Sequence, residues 1–146
     1  MADYKFIDHS DDAKKAMERQ IERVLDDVGI HLEGEAAEEL ENDPRRIDTG
    51  LLRNSITHAV AGQRPAKGDY KADRPRGKTG EIPHGSYNGV QGTSDEKAVY
   101  IGTNVEYAIY VHEGTSRMTP NRFLKNAVVK NEDQIRQFID RELKGK

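Results

Sequence analysis

The residues first worth testing for chemistry sit in VEYAIYVHEGTSRMTPNRFLKNAV, residues 105–128, where His112 stands beside Glu113. A histidine next to a carboxylate has the groups of a general base or a metal ligand. The metallopeptidase helix needs a second histidine four residues after the first, and position 116 is serine. His9, His31, His58 and His84 show no ligand-like spacing to it. Gly85-Ser86-Tyr87 offers one glycine, where a nucleophile elbow needs small residues on both sides. No phosphate-binding or dinucleotide fingerprint occurs. Glu106 and Glu113 are a conceivable carboxylate pair, but a chain with 26 acidic residues brings glutamates together by chance. There is no cysteine, which excludes disulfides, thiolate metal sites and cysteine nucleophiles. The expectation is a protein without catalytic residue, metal or cofactor. A small hydrolase or nuclease using His112 and Glu113 is the rival from another class.

A second candidate is the basic stretch RPAKGDYKADRPRGK. Arg64, Lys67, Lys71, Arg74, Arg76 and Lys78, interleaved with Tyr70, could touch phosphates or a neighbouring subunit. Residues 64–81 hold six bases and three acids, so the signal is diluted. A solvated loop, a loop ordered against another copy, and a DNA-binding module all remain open.

The elements that must position these residues follow from periodicity. Ser10 is a good N-cap, and Asp11 and Asp12 suit the positive end of a helix dipole. Ala13, Met17, Ile21, Val24, Val28 and Leu32 then recur on one helical face. Gly29 and Gly34 predict a bend or a short break, and Pro44 ends the helix. Asp48 or Thr49 caps a short turn that Gly50 makes possible. Residues 55–61 alternate, with Ile56, His58 and Val60 on one side, which predicts a strand. Residues 62–96 carry no sustained apolar period and predict a long inserted loop, or a hairpin arm turning through Tyr87-Asn88-Gly89-Val90. Residues 97–103 predict a second strand that pairs with the first, with Val99 and Ile101 inward. A short helix capped by Asn104 and ended by Gly114 follows. Thr119 and Pro120 then predict the start of a helix running from 120 to about 144. The fold class is α+β: one domain, residues 1–146, a small antiparallel sheet packed by a long N-terminal helix and a C-terminal helix.

Composition agrees with a thin core. Of the 146 residues, 34% are hydrophobic and 34% charged, against about 25% charged in an average domain. A layer that gains stability on assembly is one solution. Residues 10–48 hold thirteen acids and six bases, while residues 121–146 hold seven bases and four acids. Such segments can pair within a fold or between copies. No apolar run is long enough for a membrane span and the first residues lack a secretory pattern, so the expected site of synthesis and use is the cytoplasm, away from membranes.

Three blocks in order resemble one family. Asp48, Thr49, Gly50, Leu52, Arg53 and Ser55 form Asp-Thr-Gly-x-Leu-Arg-x-Ser. Gly102 to Val105 with Tyr107 and Ala108 form Gly-Thr-Asn-Val-x-Tyr-Ala. Glu113-Gly114-Thr115 and Met118 then precede a helix opening with Arg122-Phe123-Leu124. Together they resemble the gene-product-ten-like neck or tail-completion proteins of long-tailed phages. Two departures stand out: the last helix opens with Thr119-Pro120-Asn121, and the insertion at 62–96 is long. The resemblance implies a non-enzymatic virion part at the head–tail junction, assembled in the host cytoplasm. It implies a closed ring, six copies by analogy with a six-fold tail tube, seated beside head-completion or connector proteins and tail-tube or tail-terminator proteins, and near channel DNA. A tail-terminator ring that caps the tube is the related alternative. On this reading Tyr107, Tyr110 and Val111 anchor a short element, Gly114 reverses the chain, Pro120 restarts it, and Phe123 and Leu124 lock the last helix.

Overall fold

The computed structural model describes residues 9–43, 50–62, 68–75, 77, 80–87 and 97–144. The order is α1 (Ser10–Glu41), α2 (Leu51–Asn54), β1 (Thr57–Val60), β2 (Asp69–Lys71), β3 (His84–Ser86), β4 (Val99–Gly102), α3 (Ala108–Glu113), α4 (Phe123–Lys130) and α5 (Glu132–Lys144). This is an α+β arrangement of a long helix, two small antiparallel sheets and C-terminal helices. Strands β1 and β4 pair antiparallel, joining the two ends of the long insertion as their alternation predicts.

Helix α1 is the wall of the core, touching β1, β4, α2, α4 and α5, while the β2–β3 hairpin rests on α2. Val24, Val28, Leu32, Ala36 and Leu40 recur every four residues and are buried. The core continues with Leu52, Ile56, Ala108, Val111, Phe123 and Ala127. Phe123 is fully buried and is the largest side chain so enclosed. The first two turns of α1 differ from expectation. Ala13 is exposed and Met17 is 62% exposed, because the body of the molecule begins further along the helix.

The glycines do not break α1. It runs unbroken through both, since neighbouring turns and packing outweigh a local cost of about 1 kcal/mol per glycine. Gly29 is buried against β1, and a methyl group there would sit inside the His58 ring. Gly34 faces open space.

The C-terminal helix also departs from expectation. Its first turn starts at Phe123 rather than at Pro120, which is exposed and outside the helix. Asn121 N–H donates to the Val111 carbonyl at 2.9 Å, which holds the entry segment against α3, and Phe123 N–H donates to the Asn121 carbonyl at 2.9 Å, a tight turn at Arg122 into the helix. The helix then breaks at Asn131. That side chain is buried and donates to the Ala127 carbonyl at 2.7 Å, while the Asn131 carbonyl accepts the Ile135 N–H at 2.8 Å. Asparagine competes for backbone groups in this way and disfavours helix interiors. Ile135, Phe138 and Ile139 of α5 pack on the core without being fully covered.

The inserted segment is not a free arm. Strands β2 and β3 pair antiparallel, with Tyr70 opposite Gly85, so the reversal lies in residues 72–83. The expected turn at Asn88-Gly89-Val90 falls outside the described residues, as do Pro44, Asp48 and Thr49.

Two substitutions separate the glycine roles. Gly34→Ala is expected to stabilise by about 0.5–1 kcal/mol, the helix-propensity gain. Gly29→Ala is expected to destabilise in spite of the same gain. Urea midpoints that move in the same direction for both would contradict the close α1–β1 approach.

Candidate functional site

His112 and Glu113 end α3. His112 Nδ1 donates to Glu113 Oε1 at 2.8 Å, and its Nε2 faces the Lys125 N–H at 3.4 Å. Lys125 is the third residue of α4, whose preceding residue Arg122 supplies no side-chain cap. The imidazole therefore takes an unpaired N–H at the start of a helix, the task of an N-cap side chain. Its ring also meets the Phe123 ring edge-on at 5.4 Å. The Glu113 carboxyl is held below its usual range, chiefly by the hydrogen bond from His112 and also by Arg122 at 3.7 Å. A carboxylate held more acidic is a weaker base, and the imidazole lone pair is engaged. The pair is built to join α3 to α4. Among the described residues no group of three or more His, Asp or Glu is placed to hold a metal ion.

The other elements of the expected hinge divide. Gly114 ends α3 with φ 80, and a Cβ there would press on the Met118 carbonyl and Pro120 within 3 Å. Thr115 N–H donates to the Met118 carbonyl at 2.8 Å and closes the reversal. Tyr107 is half-buried and packs on the core. Tyr110 is 58% exposed, so Ala108 and Val111 hold α3 down in its place. Leu124 packs on the core beside Phe123.

The basic stretch is also rearranged. Tyr70 is buried, with its ring 5.1 Å from Tyr87 and its hydroxyl donating to Asn104 Oδ1 at 2.5 Å. A ring enclosed in this way is not available to stack on a base. Burial pushes the Tyr70 hydroxyl above its ordinary value. Lys71 and Arg74 are exposed, and Arg64, Lys67, Arg76 and Lys78 lie outside the described residues.

What comes together instead is a joint between the sequence blocks and the insertion. Gly50, with φ 85, starts α2 and lies against Asp73. Arg53 of α2 pairs with Asp73 and, at 3.4 Å, with Glu41 at the end of α1. Asn54 Nδ2 donates to the Lys71 carbonyl at 2.8 Å, and the Asn54 carbonyl accepts the Tyr87 hydroxyl at 3.0 Å. Ser55, buried, bonds Thr103 Oγ1 at 2.5 Å. Asn104 does not cap α3; its amide bridges the Tyr70 hydroxyl and the Ser86 carbonyl. Two blocks distant in sequence thus clasp the β2–β3 hairpin between them.

One site was missed by sequence reasoning. His58 of β1 points at α1, where Nδ1 lies 2.5 Å from Glu33 Oε1 and Nε2 lies 2.6 Å from Asp26 Oδ1. Carboxylates only accept, so both ring nitrogens donate and the ring is an imidazolium. The Glu33 hydrogen bond, against desolvation and with help from Asp26, raises its pKa to about 9. Alternation already placed His58 on the face of Ile56 and Val60. Asp26 and Glu33, seven residues apart, share a helix face, which was the available signal.

No protein family, no curated protein and no solved structure matches the chain.

The His58 clamp sets a pH dependence. A folded-state pKa above the ordinary 6.5 stabilises the fold fully below pH 6.5, and that stabilisation is lost as pH rises through about 9. The upper bound is about 3–4 kcal/mol, at about 1.4 kcal/mol per unit; half-exposed Asp26 lowers it. Denaturation midpoints measured from pH 6 to pH 10, roughly the span of the titration, should fall in the wild type and stay flatter in His58→Gln. Equal slopes would remove the clamp from the account.

Proposed function

We propose that the chain is a structural virion protein of a tailed phage, a neck or tail-completion component that works by assembling into a ring at the head–tail junction. A tail-terminator ring is the neighbouring position for the same kind of part. What supports the reading is the destination of the residues that carry the resemblance. Arg53 and Ser55 from the first block, and Thr103 and Asn104 from the second, converge on one clasp, and their hydrogen bonds go to neighbouring side chains, to backbone carbonyls and, for Ser55 and Thr103, to one another. Residues used in this way maintain shape. His112 and Glu113 likewise join two helices.

The surface is consistent with a part that meets neighbours. Met17, Ile109, Tyr110, Val128 and Val129 are large apolar side chains left exposed. A heterologous contact repeated around an axis covers such residues on every copy at once. The ring would include neighbouring head-completion, connector or tail proteins on its two faces. No helix among the described residues is long and apolar enough to cross a membrane.

Deleting the coding sequence from the phage genome that carries it is expected to leave filled heads and separate tails. Supplying the protein in trans should restore joining, and Glu113→Gln should restore it equally well. A normal yield of joined, infectious particles from the deletion would overturn the proposal. Restoration by wild type but not by Glu113→Gln would favour the hydrolase reading.

A further inference from the structure

The helical layer is wider than the sheet it covers. Two strands about 4.8 Å apart cover about 10 Å, whereas α1 with α4 or α5 beside it spans about 20 Å. The excess forms an apolar trough of about 580 Å³ along β4, walled by Leu25 of α1, Leu124 and Val128 of α4, and Ile135 and Ile139 of α5. Val128 in this wall is 43% exposed.

The trough borders an open strand edge. Ala61 N–H donates to the Ala98 carbonyl at 2.8 Å, so Ala98 and Ala61 form a hydrogen-bonded pair. In an antiparallel ladder such pairs alternate with non-bonded ones. Tyr100 and Gly102 therefore face β1, and the N–H and C=O of Val99 and Ile101 point away from it. Among the described residues, β4 pairs with β1 alone. An unpaired edge beside apolar walls is the arrangement that accepts an added strand.

We propose that this edge takes residues 3–8 of a second copy of the chain as a third strand. The segment Asp3-Tyr4-Lys5-Phe6-Ile7-Asp8, which lies outside the described residues, has the matching chemistry. Tyr4 and Phe6 alternate to one side and suit the trough. Asp3 and Asp8 bracket the segment. Lys97 stands just before β4, where it already meets Glu22 at 3.9 Å, and Lys125, which makes no side-chain ion pair among the described residues, stands in the trough wall as the nearer match for an incoming carboxylate. The donor is a second copy because of reach. Ser10 lies fifteen residues before Leu25, about 22 Å of helix. Lys97 at the head of β4 meets Glu22 at 3.9 Å, twelve residues or about 18 Å along α1 from Ser10, and only His9 links Asp8 to Ser10, so residues 3–8 of the same chain cannot all lie along β4. The inference names the contact in the proposed ring and rests on that reading for its context.

The test uses the full chain and a synthetic peptide matching residues 2–9. Saturating peptide is expected to slow amide exchange at Val99 and Ile101 by about tenfold or more. A peptide carrying Phe6→Asp should not slow it. Val128→Asp in the protein should weaken peptide binding about tenfold or more while leaving the unfolding midpoint near wild type. Unprotected Val99 and Ile101 at saturation, or equal protection by the Phe6→Asp peptide, would overturn the strand addition. Protection of these amides in strictly monomeric protein, lost on Phe6→Asp in the chain itself, would return the segment to its own molecule and overturn the exchange between copies. The gene-deletion phenotype is read independently, so head–tail joining can stand while this contact falls.

Discussion

The approach of α1 to β1 fixes the spacing of the rest of the molecule. At Gly29 the helix has no side chain, and the His58 ring occupies the space a methyl would fill. One turn to either side, Asp26 and Glu33 hold that ring by both nitrogens. A small residue and a charged clamp thus do together what a layer of large aliphatic residues does in a richer core. Removing one carboxylate would leave the imidazolium partly buried with half its partners, and such losses usually cost more than the intact pair contributes. The clamp therefore fixes register as well as lending its pH-dependent stability.

From that register the other joints follow. With β1 set against α1, β4 is set by pairing, and Val99 and Ile101 turn toward the helices. The far end of α1 then meets the chain again. Glu39 accepts Lys130 at 2.6 Å and Asn126 at 3.4 Å, and its carbonyl accepts Asn121 at 3.3 Å. Nearer its beginning, Gln20 donates to the Glu142 carbonyl at 3.0 Å. Polar contacts thus hold α4 and α5 along α1 where apolar contact is incomplete. That is how a chain with as many charged as hydrophobic residues keeps a helical layer broader than its sheet, at the cost of an uncovered apolar trough.

The parts legible in the sequence are those set by short-range pattern. Period-four spacing on α1, alternation at 55–61 and 97–103, and the glycine at 114 each identify their element from neighbours alone. Phe123 was legible as an anchor because it opens an apolar helical stripe. The parts that were not legible depend on partners far along the chain. Asn104 is a good helix cap by type, yet its amide is engaged by Tyr70 and Ser86. Tyr70 looks like an exposed aromatic among lysines, and only pairing with β3 and contact with Tyr87 enclose it. Asn131 breaks a helix whose apolar stripe runs straight through it, because a side-chain bond to Ala127 competes with the stripe.

His58 and His112 show why residue type alone misleads about chemistry. In sequence, His112 is the more suggestive, with a glutamate beside it. In the fold its lone pair faces a helix N–H, which requires the proton to sit on Nδ1 and point at Glu113. His58 has no acidic neighbour in sequence, yet two carboxylates reach it across the sheet–helix interface and require both nitrogens to carry protons. Protonation state is thus assigned by what each ring nitrogen faces, a property of tertiary structure. In this chain both assignments take the imidazole out of general-base chemistry and put it to work holding one element against another.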